Sequence, residues 1–291
     1  MAWLVWLVLV IGVVATVAIG LRAYGATRWA ESMQALTRQL EAARMEHKQQ
    51  PLSTVRFDAR EFDDLPAPVQ RYFRVALSDG QPLIAAARLE LSGTFNMSAT
   101  GERWKPFTSR ERILTRRPGF VWDAKVFMLP GLPVHVVDSY IAGDGLLHAA
   151  LLGLFPVANL RGGGEIARGE LMRLFAELAW CPTALLPSQG VRWSAIDDTS
   201  ANATLRDGPI SLTLRFRFNE AGLIESAHAQ ARGAMVGKAM AMLPWEGNWS
   251  NYQTRHGMTV PHTCEVAWLR PEGRKPYFRG TVTALHYEFV P

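Results

Sequence analysis

Residues 211–218, Ser-Leu-Thr-Leu-Arg-Phe-Arg-Phe, alternate without interruption between polar and apolar side chains. On an extended chain Leu212, Leu214, Phe216 and Phe218 fall on one side, with Ser211, Thr213, Arg215 and Arg217 on the other. A helix would scatter both sets around its circumference. The pattern therefore predicts an antiparallel strand with one side in water. "RLELSGTFNM" repeats it: Leu89, Leu91, Phe95 and Met97 share a side with Gly93, opposite Arg88, Glu90, Ser92, Thr94 and Asn96. Eight more segments read the same way: "RERILT", "GFVWDAKVFML", "HVVDSYIA", "GVRWSAIDD", "ANATLR", "GLIESAHAQAR", "TVPHTCEVAW" and "FRGTVTALHYEF". Turn-forming "RPGF", "RDGP", "NEAG" and "RHGM" separate several of them. Strands at roughly ten-residue spacing predict a meander or barrel-like sheet.

Four stretches break this rhythm. Residues 2–21 carry no charge, and Thr16 is their one polar side chain. As a helix they would span about 30 Å, the thickness of a bilayer's hydrocarbon core. The run is too long for the apolar part of a signal peptide and has no Lys or Arg before it, so it reads as an uncleaved transmembrane helix. Trp3 and Trp6, with Tyr24 and Trp29 beyond the other end, suit interfacial anchoring. Residues 28–50 then predict a polar helix with a thin stripe, Met33, Leu36 and Leu40, more a stalk than a packed element, broken at Pro51. "DDLPAPVQRYFRVAL" predicts a short amphipathic helix presenting Val69, Tyr72, Phe73 and Leu77. Residues 143–187 read as a helical insertion: "GDGLLHAALLGLFPVANL" is apolar nearly all round, and a helix follows the glycines at 162–164. In that helix Leu171, Leu174, Phe175 and Leu178 are expected inward, with Glu170, Arg173 and Glu177 outward as a solvated ion ladder.

The expected organisation is a transmembrane helix at 2–21, a helical stalk or linker at 22–60, and a β half-barrel domain at 61–291. The fold class is mainly β (α+β): a curved antiparallel sheet or half-open β-barrel with helices on its concave face, preceded by one transmembrane helix.

Net charge is +5, but the basic residues are dispersed along strands and no recognition motif accompanies them, which argues against nucleic acid. A membrane surface is the nearer anionic partner. Arg22, Arg28, Arg38, Arg44 and Lys48 follow the apolar run, so the positive-inside rule favours a cytoplasmic domain. Cys181 and Cys264 cannot define a disulfide framework and leave the compartment open.

The chemistry-bearing residues fall short of a site. "TRHGMTVPHTCEVAW" reads as a hairpin turning at His256 and Gly257; Val260, His262, Cys264, Val266 and Trp268 share its inner face. His262 and Cys264 lie side by side on one strand rather than facing each other, and no CxxC or HxxxH completes a metal set. Asp197 and Asp198 read as turn caps rather than a cation site. No metal or cofactor is expected. The aromatic content points further: it exceeds what one face of a thin sheet needs, and a half-open barrel would leave a greasy cavity. Its expected lining is Leu91, Phe95, Trp122, Phe175, Trp180, Phe216, Phe218, His262, Cys264 and Trp268.

"LPAPVQRYFR", "RGELMRLFAELAWCPTALLP" and "GNWSNYQTRHGMTVPHTCEVAW" resemble an uncharacterised bacterial family, a domain of unknown function often preceded by one membrane helix. The likeness covers roughly residues 60–290 and brings no activity with it. More distantly, the hairpin with Tyr252, Gly257, Val260 and Pro261 is similar to one in periplasmic lipoprotein-carrier and lipoprotein-sorting proteins. That resemblance implies a half-open barrel with a helical lid over a hydrophobic cavity, and an extracytoplasmic location. The functional expectation is a single-pass, membrane-anchored module binding a lipid or acyl chain in the cell envelope. The alternatives are an envelope scaffold, or a hydrolase drawing on His262, Cys264, His286 and Glu170.

Overall fold

In the computed structural model, which describes residues 2–47, 55–98, 101–129, 131–237 and 239–291, the alternating segments pair with their neighbours in sequence. Three α-helices accompany them among the described residues: α1 (Ala2–His47), α2 (Ala67–Ala76) and α3 (Gly164–Glu177). A first meander consists of β1 (Ile84–Asn96), β2 (Trp104–Leu114), β3 (Gly119–Leu129), β4 (Leu132–Ile141), β5 (Asp144–Leu151) and β6 (Phe155–Gly162). A second consists of β7 (Arg192–Asp197), β8 (Ser200–Asp207), β9 (Ile210–Phe218), β10 (Ile224–Val236), β11 (Ala239–Arg255), β12 (Met258–Arg270) and β13 (Gly273–Phe289). The two are joined where β1 pairs antiparallel with β13, Leu89 lying opposite Leu285. The result is one curved, unclosed antiparallel sheet of thirteen strands with β6 and β7 at its edges.

The chain crosses from one edge to the other through the hollow of this sheet. It does so as α3 followed by short 3-10 turns at Leu178–Trp180, Pro182–Leu185 and Pro187–Gln189. α2 closes one end, where buried Tyr72 and Phe73 meet Phe218 and Trp193 from the sheet. As the alternation requires, Leu212, Leu214, Phe216 and Phe218 are buried, and Ser211, Thr213, Arg215 and Arg217 are exposed.

Two expectations fail here, for one reason. Residues 144–162 are the strands β5 and β6, not helix. They turn at Leu152 and Gly153, both at positive φ, the conformation of a tight hairpin turn. The apolar run masks alternation because β5 is covered twice. Ala167 of α3 packs on Gly145 inside, and Trp29 of α1 packs over His148 and Ala150 outside.

That outer cover is the second correction. Residues 28–45 do not stand off as a stalk; α1 continues unbroken from the apolar run and lies on the convex face. Trp29 and Leu40 are buried, with Met33 and Leu36 packed alongside, over Ala86, Leu114, Val121, Val137 and Ala150. Small side chains on the sheet let the narrow stripe come close enough to bury. Trp29, expected at an interface, instead donates its indole N–H to Asp123 Oδ1 at 2.8 Å. Near the far end Arg44 and Arg112 both pair with Glu41 and Glu288 at 2.8–3.3 Å. The expected break at Pro51 lies outside the described residues.

The approach is closest at Gly25, where an added Cβ would stand 2.0 Å from the Leu152 carbonyl oxygen. Gly25→Leu is therefore expected to lift α1 from the β5–β6 hairpin while the sheet stays folded. Faster amide exchange at residues 134–137 and 147–150, with core strands β11–β13 unchanged, is the check.

Candidate functional site

At the end of the hollow opposite α2 the inward side chains do not meet, leaving a cavity of about 460 Å³. Aromatic rings form most of its wall: Phe95, Trp122, Trp180, Trp245, Trp249, Trp268, Tyr277 and Phe278. They brace one another, with Phe278 4.8–6.3 Å from Phe95, Phe107 and Trp122, and Trp268 stacked on Tyr277 at 6.0 Å. Trp245 donates to the Tyr277 hydroxyl at 3.0 Å and Trp180 to the Pro261 carbonyl at 3.1 Å. The Trp249 indole N–H is buried and has no hydrogen-bond partner among the described residues.

One side of the cavity is charged. From α3 come Glu170, Arg173 and Glu177; from the sheet come Asp138 on β4 and Arg232 on β10, with Glu111 on β2 just behind. Arg173 is the centre, at 2.5 Å from Asp138, 2.9 Å from Glu177 and 3.7 Å from Glu111. Its guanidinium also lies over the rings of Trp122 (4.7 Å) and Phe120 (5.0 Å). Arg232 reaches Glu170 at 3.8 Å, donates to the Gly169 carbonyl at 3.1 Å and lies over Trp245.

Four carboxyl groups face two guanidinium groups in a largely buried site, so full ionisation would leave a negative surplus. Burial pushes Glu170 up to about 8, reinforced by the neighbouring Asp138 charge and opposed by Arg232 and Arg173. Burial likewise raises Glu111 well above the usual carboxylate range, with Glu177 adding to it, and raises Asp138. Burial works against the charge on Arg173, but Glu177, Glu111, Asp138 and Glu170 together hold it protonated. Both oxygens of Glu111 and one each of Asp138, Glu170 and Glu177 still lack a hydrogen-bond partner among the described residues.

This arrangement fixes the sign of a pH effect. The unfolded chain sheds the Glu170 proton above about 4.5, whereas the folded chain keeps it to about 8. The stability that this group contributes is complete below 4.5 and is lost progressively as pH rises to about 8. Glu170→Gln keeps the neutral shape, so its Tm should fall less steeply than the parent's between pH 5 and pH 8.

Phe95, Trp122, Trp180, Cys264 and Trp268 lie in the wall of this cavity. Leu91, Phe175, Phe216 and Phe218 are packed in the core instead, because α2, α3 and the 3-10 turns fill that part of the hollow. His262 is half-buried and does not line the cavity, and His286 is exposed on the outer side. The supposed solvated ladder of Glu170, Arg173 and Glu177 is instead the buried cluster: both faces of α3 are covered, one by core and the other by the cavity wall. Cys264 donates its thiol to the Gly280 carbonyl, and burial pushes that thiol up, so it stays uncharged. Asp197 accepts from Thr199 and Ser200 as a turn cap. Asp138, Arg232 and Glu111 escaped the sequence reading, yet two of them carried a signal. Glu111 and Asp138 are charges at inward positions of alternating strands, whereas Arg232 turns inward only because the register shifts between Ala229 and Arg232.

The chain belongs to DUF6920, a family of unknown function, whose pattern matches residues 63–287. No curated protein matches it. Among solved structures it is similar to the LolA superfamily protein NE2245 from Nitrosomonas europaea. The two share 9% identity over 77% of this chain and 93% of that one, with a TM-score of 0.39. A beta-barrel-like protein of the domain of unknown function DUF1849 from Brucella abortus shares 11% identity over 71% of this chain and 99% of that one. Its TM-score is 0.23.

Proposed function

We propose that this protein is a membrane-anchored binding module that holds a lipid or acyl chain in the cell envelope. The observation that carries the reading is the aromatic cavity of about 460 Å³, inside the usual range for small-molecule sites and lined mainly by apolar side chains. Apolar walls reward burial of a chain at about 25 cal/mol per Å², before the costs of ordering it. The unpartnered Trp249 N–H and the carboxyl oxygens offer a place for a hydrogen-bonding end group. The ligand class is thus an amphiphile rather than a plain hydrocarbon.

The anchor reading is supported by α1, which runs as one helix from its apolar span into the docked segment. The basic residues after the span pull the domain toward the cytoplasm, and the carrier resemblance pulls it outward; the extracytoplasmic side is part of this proposal. Phosphatase and fluorescent-protein fusions at the C-terminus test it, since only the correct side activates each reporter. Organic extraction of detergent-exchanged protein, followed by mass spectrometry, tests the ligand. Near-stoichiometric amphiphile is expected. Protein free of any lipid beyond the detergent belt would count against binding and favour an envelope scaffold.

A further inference from the structure

We propose that the hairpin tips around the cavity mouth dip into the surface layer of the bilayer, so that the hollow opens into the membrane itself. This rests on the reading of α1 as an anchor. Three observations meet at one end of the strands.

First, α1 is fixed in direction. Leu40 touches Gly119 at the start of β3, and Arg44 pairs with Glu288 at the end of β13. Gly25 meets Leu152 at the β5–β6 tip, and Arg22 lies beside Gly131 at the β3–β4 tip. The helix therefore crosses the sheet lengthwise, and its uncharged segment leaves the domain past those tips. Residues 2–21 extend about 30 Å beyond them at 1.5 Å per residue.

Second, exposed apolar side chains gather at the same end. Leu129 and Leu132 on the β3–β4 tip are 60% and 38% exposed, and Phe155 beside the β5–β6 tip is 53% exposed. Met97 on the β1–β2 tip, with Met235 and Met240 on the β10–β11 tip, is likewise exposed. The β8–β9 and β12–β13 tips there are polar, with Asp207 and Glu272. At the other end the turns carry Arg117, Asp198, Glu220 and His256. Large apolar side chains on protruding hairpins lose nothing when lipid replaces water, whereas left in water they are an aggregation hazard.

Third, the cavity reaches that end: Met97, Met235 and Met240 belong both to its lining and to the exposed tips. A ligand would enter from the acyl layer without crossing water, and the apolar rim would seal the passage.

The test uses the full chain in phosphatidylcholine–phosphatidylglycerol vesicles. An environment-sensitive fluorophore is attached at single introduced cysteines: Leu129→Cys, Phe155→Cys, Met240→Cys, Glu220→Cys and Val10→Cys. Cys181 is buried and stays unlabelled, and Cys264, which borders the cavity, is replaced by alanine. Labels at 129, 155 and 240 should shift to the blue and be quenched by lipids bearing a nitroxide high on the acyl chain; the label at 220 should do neither. If the label at 10 is quenched while those at 129, 155 and 240 remain in water, the anchor stands and the inference falls. If 129 and 155 are quenched but 240 is not, the mouth does not face the lipid and the inference also falls. If the label at 10 is itself unquenched, the anchor reading fails and takes the inference with it.

Discussion

Replacing Arg173 by methionine is expected to cost about 3–5 kcal/mol of stability, enough to unfold much of the protein near physiological temperature. The guanidinium is the shared partner of Asp138, Glu177 and Glu111, and its side chain is 13% exposed. Methionine fills the same channel between α3 and the rings of Trp122 and Phe120, so packing alone would predict a small effect. The large effect comes from carboxylates left in a dry site without a counter-charge. Those groups can escape by taking up protons, and this gives the prediction its signature. The loss should be greatest at pH 8 and smaller at pH 5, read as the shift in urea midpoint between variant and parent. A double variant that adds Asp138→Asn should recover part of the stability, because one positive and one negative charge are then removed together. A uniform loss at both pH values would mean that Arg173 matters for shape and not for charge.

Gly169→Phe should abolish ligand binding while leaving the fold intact. Gly169 lies on the face of α3 that borders the cavity. A Cβ placed there would find one heavy-atom neighbour within 4 Å, Arg232 Nε at 3.7 Å, an ordinary contact. The added ring would therefore point into empty space and occupy part of the 460 Å³. Exchanging glycine inside a helix for a residue with a Cβ also reduces the entropy lost on folding, by about 0.5–1 kcal/mol for alanine. Unchanged or raised Tm with no extractable amphiphile is the expected pair of results. Full lipid content in this variant would place the bound lipid elsewhere, on α1 or at the tips.

The strands were legible because most inward positions are covered on one side only, so alternation survives in the sequence; β9 is the clearest case. Alternation failed in β5, where both sides are covered, and the apolar run through the edge strand β6 read as helix with it. α1 was misjudged because amphipathicity is ordinarily measured against large side chains. Its narrow stripe is sufficient only because Ala86 and Ala150 let it sit close. A cavity could be anticipated from the aromatic surplus, with Phe95 and Trp268 placed by their side of the strand. Its charged wall could not be placed, because α3 shows the same i, i+3 and i, i+4 charge spacing that a solvated helix would show. What separates the two is a covering sheet contributed from residues some 30 to 60 positions away, such as Asp138 and Arg232. An inward Asp138 between Val136 and Tyr140 was the available hint.

Where a lipid sits in the protein decides the account more directly than whether one is present. A photoactivatable diazirine on the acyl chain of a phospholipid, taken up by the full-length protein and irradiated, marks the residues against which the chain lies. The account predicts adducts on Phe95, Trp245, Trp249 and their neighbours inside the hollow, lost in Gly169→Phe. Adducts confined to α1 and the hairpin tips, with the inner walls unmarked, would contradict it.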